Sequence, residues 1–413
     1  MKTVEGWETE PLGRVARITM GQSPDSKYYS EEENGLPFLQ GCAEFKSRFP
    51  KHSFYCSQTK KIATVGSILF SVRAPVGKIN IADRDYIIGR GLAGISGIEV
   101  DQAYLEHYLS FVESNFRNAS QGSTFEAINS SELNGWPIEH PVSNAEQSKI
   151  AEILSTVDQA IEQTEALIAK QQRIKTGLMQ DLLTHGIDEH GNLRSEQTHK
   201  FKDSPLGRIP VEWEVRPLYW LATDIVDCPH TTPTFLPGGI LVARTFNLKD
   251  GRFVGERSYV SELEYKKRIA RLEPQYGDVI FTREAPVGEA FIIPSGLQAC
   301  LGQRTMLVRC DVKRCLSKYL LEVVYSEEMR IRFDQMVGGT TNPHLNVGDV
   351  RCLSIRQPDI KEQALIAERI GSMRHATEQS DRQLAKLRSL KTALMQDLLT
   401  GKKRVTHLLE KTP

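Results

Sequence analysis

Laid on itself at an offset of a little over 200 residues, the sequence repeats, so the chain must fold as two copies of one unit. Four blocks match in order. Gly6-Trp7-Glu8 running to Pro11-Leu12 returns as Trp213-Glu214 running to Pro217-Leu218. Gly66-Ser67-Ile68-Leu69-Phe70 with Ala74-Pro75-Val76-Gly77 returns as Gly277-Asp278-Val279-Ile280-Phe281 with Ala285-Pro286-Val287-Gly288. Gly122-Ser123-Thr124 with Ile128-Asn129 is matched by Gly339-Thr340-Thr341 with Leu345-Asn346. The longest block leads from Glu146-Gln147 to Lys175-Thr176 and Leu178-Met179-Gln180-Asp181-Leu182-Leu183-Thr184. Its copy leads from Glu362-Gln363 to Lys391-Thr392 and the same seven letters at 394–400. Chance supplies one such match in similar helices, not four in order, so the unit of about 200 residues is duplicated in tandem.

The second part of each unit is one long helix. Residues 146–184 hold no Pro and a single Gly, Gly177, and the copy behaves alike. Alternating steps of four and three place Ile150, Leu154, Val157, Ile161, Thr164, Ile168, Gln171, Lys175, Leu178 and Leu182 on one seam, seven of the ten apolar. The copy gives Ile366, Ile370, Met373, Thr377, Ser380, Leu384, Leu387, Lys391, Leu394 and Leu398, again seven of ten. At 1.5 Å per residue each helix is a rod of roughly 57 Å. Chain direction makes an antiparallel coiled coil the simplest pairing. Charge favours it, since residues 146–200 carry 6 basic and 9 acidic side chains and residues 361–413 carry 11 and 6.

The first part of each unit mixes short strands, turns and one amphipathic helix. Residues 66–72 alternate and are β-rich, residues 73–77 carry turn chemistry, and residues 78–82 resume a strand; 277–293 repeat this hairpin. Tyr104, Leu105, Tyr108, Leu109 and Val112 make a helical face, echoed by Tyr319, Leu320, Val323 and Val324. The expected fold class is α+β, a tandem pseudo-twofold repeat of two similar mixed α/β globular domains separated by two long helices. The boundaries read as a first domain at 1–145, a central helix at 146–186, a polar linker at 187–206, a second domain at 207–360, a C-terminal helix at 361–400 and a tail at 401–413. Trp7, Trp213, Phe70 and Phe281 read as core, and Gly77 and Gly288 as turn.

Lys and Arg number 52 and Asp and Glu 52, so no basic excess announces nucleic-acid binding. No apolar run is long enough to span a membrane, and Met1-Lys2-Thr3-Val4-Glu5 lacks the core of a signal peptide, so a cytoplasmic protein is expected. Seven cysteines without a Cys-x-x-Cys pair read as reduced thiols. Cys310 and Cys315 have no second pair to complete a zinc set, so no metal is expected. No phosphate loop, dinucleotide fingerprint, His-Glu-x-x-His, nucleophile elbow or aromatic-flanked Asn/Asp-Pro-Pro tetrapeptide occurs, so no catalytic residue is expected. His52, His107 and His140 read as structural or surface residues. Two diverged domains held apart by a rod can measure the distance between two sites. Half-sites one turn of B-DNA apart, about 34–36 Å, are within reach of such a rod.

At this point the chain resembles the specificity subunits of type I restriction–modification systems. The resemblance spans nearly the whole chain. It is strongest from Gly122-Ser123-Thr124 through Ile128, Leu133, Ile138 and Pro141 to Glu146-Gln147 and Ile150-Ala151, closing on residues 178–186, and in the second copy ending at Gly401. Asp227-Cys228-Pro229-His230-Thr231-Thr232-Pro233 is similar to a stretch at the start of that family's target recognition domains. The resemblance implies a non-catalytic DNA-reading subunit whose two target recognition domains each read half of a split, asymmetric double-stranded target. It implies two modification (methyltransferase) subunits and further restriction subunits as partners. S-adenosylmethionine, ATP and Mg²⁺ would then belong to the partners and none to this chain. The competing reading is a coiled-coil scaffold that reads no DNA.

Base edges and phosphates are read by Arg, Lys, Asn, Gln, Ser, Thr and His in polar loops. The candidates are Gln22, Ser23, Lys46, Arg73, Lys78, Arg90, Ser123 and Thr124 in the first domain. In the second they are His230, Thr231, Arg244, Asn247, Arg283, Arg304, Thr340, Thr341, Asn342 and His344. A lone Arg or Lys is equally a solvated charge, and the Ser-Thr and Thr-Thr pairs equally a turn or cap. Matched positions that differ, such as Val72-Arg73 against Arg283-Glu284, are where two half-sites can be told apart. Lys175, Thr176, Gln180 and Asp181, with Lys391, Thr392, Gln396 and Asp397, are polar residues kept in both helix ends and are expected either to dock two copies of one partner or to be helix packing retained from the common ancestor.

Overall fold

A computed structural model describes residues 4–58, 60–120, 127–337 and 343–409. The chain forms two compact units, Met1–Glu165 with Arg382–Pro413, and Ala166–Asp381. The long helices run Asn144–Thr184 and Ile360–Leu398, so each contributes one half to each unit. All ten seam positions of both helices are buried or half-buried, as their 3.5-residue spacing requires.

In the first unit a four-stranded antiparallel sheet has the order Ala16–Met20, Leu92–Gly97, Ile68–Ser71, Ile79–Ile81. A five-stranded sheet lies beside it, with Leu36–Leu39 running parallel to Tyr86–Ile88. The strand Ile68–Ser71 is buried at every residue because both its faces are covered. Ile68 and Phe70 join the helix-side core with Tyr104, Leu105, Leu109 and Phe116, whereas Leu69 packs with Leu39, Tyr86 and Ile88. The helix Gln102–Phe111 is started by Asp101, whose carboxylate accepts the Ala103 and Tyr104 amides at 2.9 and 3.0 Å. Ile150 and Leu154 of the first long helix and Leu398 and Leu399 of the second segment complete this core. Their pairing is antiparallel, with ion pairs Asp158–Lys391 at 2.6 Å and Glu165–Arg388 at 2.7 Å.

The second unit repeats the plan. Its antiparallel sheet has the order Ala222–Asp227, Thr305–Cys310, Val279–Thr282, Ala290–Ile292, and Ile240–Ala243 runs parallel to Ala299–Leu301. Val279 and Phe281 face the core with Trp213, Met179, Leu182, Ile366 and Ile370, while Ile280 packs with Cys228, Ala243, Leu301 and Leu307. The turns carried by Gly77 and Gly288 have φ of 91° and 80°, where a side chain is strained.

Two segments read as linker and tail are folded against the domains. Ile187 is buried in the second core, and Phe201–Lys202 pairs with Ile209–Pro210. Val405 is buried in the first core. Each segment also supplies an arginine to a buried glutamate at the start of a long helix. The Glu146 carboxylate accepts Nε and Nη2 of Arg404, both at 2.6 Å. Glu362 accepts Arg194, the indole N–H of Trp213 at 3.0 Å and the Ile187 amide at 2.8 Å. These residues lie in polar stretches whose hydropathy hides the ion pair, because burial here follows from pairing rather than from apolar character.

Candidate nucleic-acid interface

Strand direction brings four loops to one edge of the first unit. The parallel strands Leu36–Leu39 and Tyr86–Ile88 both end there, and the antiparallel register puts Met20 and Ser71 beside Leu92 and Ala93. Backbone bonds lock the loops together: Gly21 N to Leu92 O at 2.9 Å, Gln22 N to Ile88 O at 2.9 Å and Val72 N to Gly91 O at 3.0 Å. The Arg90 amide donates to Ser23 Oγ at 3.2 Å. A cleft of about 180 Å³ opens among Gln40, Cys42, Ser71, Arg73 and Arg90. Gln22, Arg73 and Arg90 are exposed around it, so four expected residues, with Ser23, converge. Gln40, which the sequence reading omitted, shares the cleft.

Lys46 and Lys78 are exposed on a larger neighbouring cleft of about 440 Å³ that shares Cys42. Its walls also carry Arg48 and Lys391 against Glu106, Glu113, Asp158, Glu162 and Glu165, so the two lysines stand in a cleft of mixed charge rather than a basic one. Arg73 bridges Ala127 through the backbone, which sets Ala127 beside the first cleft. Ser123 and Thr124 themselves lie outside the described residues, as do Thr340, Thr341 and Asn342.

The second unit has the same edge with different side chains. Cys228 N bonds Thr305 O at 3.1 Å, Arg283 N bonds Arg304 O at 2.9 Å and Leu345 N bonds Arg283 O at 3.0 Å. Two expected readers are occupied elsewhere. Arg283 is buried, its guanidinium on Asp227 (3.2 and 3.4 Å) and the Leu345 carbonyl (2.8 Å), so it holds the loops rather than facing solvent. Asn247 is fully buried and donates to the Val254 and Glu256 carbonyls at 2.9 and 2.8 Å, which fixes the turn around it.

The other positions stay at the surface. His230 stands 3.1 Å from Asp227, Arg304 pairs with Glu284 at 3.2 Å, and the Thr231 carbonyl accepts from buried Arg268. His344 is exposed and bridges Glu284 through the backbone. Arg244 lies between the rings of Phe235 and Phe246, 4.5 and 4.4 Å from their centroids, and donates to Ser258 Oγ at 3.3 Å. The nearby Phe235 and Phe246, with Gln303 and Asp227, are site residues the sequence reading missed. Aromatics set close to a candidate arginine in a polar loop were the available signal.

At the helix ends, Thr176 and Thr392 each donate to the carbonyl four residues back at 3.1 Å, so each is exposed but locally satisfied. Thr176 and Gln180 line an apolar groove of about 690 Å³ with Met179, Leu183, Tyr325 and Ile331. Gln396 is exposed likewise. Lys391 is committed to Asp158, and Asp397 to Lys403 and Lys402 at 3.0 and 3.4 Å, which hold its carboxyl below the usual range. Lys175 and Asp181 are half-buried, and burial followed by the Arg374 charge pushes the Lys175 ammonium down. All seven thiols are free, and among the described residues no group of three or more His, Cys, Asp or Glu is placed to hold a metal. No described helix is long and apolar enough to cross a membrane.

Residues 4–171 match the family model described as the type I restriction modification DNA specificity domain. The putative MjaX specificity subunit of Methanocaldococcus jannaschii is 39% identical over 187 residues, 44% of this chain and 44% of the relative, so the match spans less than half of that protein. The MjaVIII specificity subunit of the same organism is 25% identical over 426 residues, covering 99% of this chain and 95% of the relative. The fold is that of the type I S subunit from M. genitalium, with a TM-score of 0.62 at 13% identity over 96% of this chain and 97% of that one. A chain solved in work on complex assembly of the type I R-M system agrees, at a TM-score of 0.55 and 18% identity over 97% and 99%. Sequence and fold thus converge: residues 4–171 match the type I DNA specificity domain model, and the chain along its length is similar to specificity subunits of type I restriction–modification systems.

Proposed function

We propose that this chain is the non-catalytic subunit that selects DNA for a type I restriction–modification complex, each domain reading one half of a split, asymmetric target. The observation that carries this is the pair of homologous loop edges. Their backbone hydrogen bonds are matched, while their side chains differ: exposed Gln40, Arg73 and Arg90 against half-buried Arg244 and Glu284 and exposed Gln303. A repeated scaffold with unlike side chains reads two unlike half-sites. The long helices set the unread spacer. The matched exposed pairs Thr176 and Gln180, and Thr392 and Gln396, dock two methyltransferase subunits, through which restriction subunits join. S-adenosylmethionine, ATP and Mg²⁺ serve those partners, and the work is done in the cytoplasm.

The test is methyladenine mapping of the host genome with and without the gene, partners being expressed in both. Loss of methylation at a single two-part motif is expected. An unchanged map would leave the scaffold reading in its place.

A further inference from the structure

Strand register fixes which residues of the two edges correspond. Leu39 pairs with Ile88 and Ala243 with Leu301 in the parallel strands, and Gly89 N to Leu39 O (2.7 Å) repeats as Gly302 N to Ala243 O (2.8 Å). Gln40 and Arg244 are therefore the same position, one residue beyond the parallel strand. The facing turn has no room for a side chain beside either. A Cβ at Gly89 would stand 3.1 Å from Gln40 Cα, and one at its counterpart Gly302 would stand 3.0 Å from Arg244 Cα.

The surroundings of this shared position differ between the domains. Gln40 is exposed between Arg73 and Arg90. Arg244 is held by two rings and one hydroxyl, and among the described residues no carboxylate pairs with it, although Arg268, Arg283 and Arg304 at the same edge each have one. A guanidinium oriented in this way, with donors still to spend, suits a bidentate acceptor. The O6/N7 edge of guanine is such an acceptor, and the amide of glutamine matches the N6/N7 edge of adenine.

We propose that Gln40 and Arg244 are the matched specificity-determining residues of the two domains, Gln40 reading an adenine and Arg244 a guanine. This rests on the DNA-reading function above. Arg73 and Arg90 flank Gln40 as phosphate contacts, which position without specifying.

The experiment is selection from a randomised duplex DNA library by the full chain assembled with its methyltransferase subunits, comparing wild type, Arg244→Gln, Arg244→Lys and Gln40→Arg. Arg244→Gln moves one base pair of one half-site from guanine towards adenine and leaves the other half unchanged. Gln40→Arg does the reverse in the other half. Arg244→Lys keeps the charge but lowers discrimination at that pair by roughly 5- to 150-fold. Unaltered preferences, or a uniform weakening across all sequences, would overturn the assignment. If the wild type selects no two-part motif, the DNA-reading function falls and this inference with it.

Discussion

Arg404 lies in a segment whose composition reads as a solvated tail, yet its removal is expected to be among the most damaging single changes in the chain. Glu146 has no solvent exposure, and its carboxylate accepts two hydrogen bonds, both from Arg404. Arg404→Ala strands that carboxylate, and breaking a buried pair from one side costs about 3–5 kcal/mol. The copied position supplies an internal control. Arg194→Ala also removes a guanidinium from a buried glutamate, but Glu362 keeps the Trp213 indole and the Ile187 amide. Each retained hydrogen bond contributes about 1 kcal/mol, so this loss should be smaller by about 2 kcal/mol.

Urea unfolding followed by tryptophan fluorescence reads each unit separately. Trp213→Phe with Trp220→Phe leaves Trp7 and Trp136 to report the first unit, and the converse pair leaves the second. With a slope near 2 kcal/mol/M, a loss of about 4 kcal/mol lowers the first unit's midpoint by about 2 M. The double variant Glu146→Gln with Arg404→Met should recover most of it, because no charge is stranded. A loss below about 1 kcal/mol for Arg404→Ala, or one equal to that of Arg194→Ala, refutes the reasoning.

Arg283→Ala should destabilise the second unit by about 2–4 kcal/mol, less than a fully stranded carboxylate would because Asp227 keeps the Cys228 amide at 3.0 Å and His230 at 3.1 Å, whereas exposed Arg73→Ala should leave stability within about 0.5 kcal/mol and weaken DNA binding; paired denaturation and binding curves check both. Burial pushes the His107 imidazole down to about 4, so the folded chain keeps it neutral while the unfolded chain takes up a proton near 6.5. Its contribution is intact above pH 6.5 and is lost as pH falls to 4, by about 3 kcal/mol in total. His107→Gln should flatten that part of the stability profile relative to wild type. Ile331→Arg, placed in the groove beside Thr176 and Gln180, should cost one of two bound methyltransferase subunits; native mass spectrometry that still counts two would refute docking there.

The duplication was legible because four blocks keep their letters in order, and the helix spacing and the hairpins because each is a local period that solvent exposure writes directly into residue type. The strand Ile68–Ser71 shows the limit of that rule, since Ser71 is buried with its neighbours once both sheet faces are covered. Arg73 and Arg90 were found by type, but Arg283 and Asn247 carry equally suitable groups and are buried as struts. Side-chain chemistry is the same in both cases; only the partner differs.

Residue order carried the architecture: two diverged copies of an α+β domain, each followed by a heptad-spaced helix. Tertiary structure alone decided which polar residues are spent internally and which are left for a ligand. Arg404 and Arg194 joined buried glutamates, Arg283 joined Asp227, and Gln40 and Arg244 came to one equivalent place at the loop edge. The reason is physical. Burial of apolar surface follows local periodicity, whereas a polar group's role depends on partners distant in sequence that chain folding brings within 3 Å.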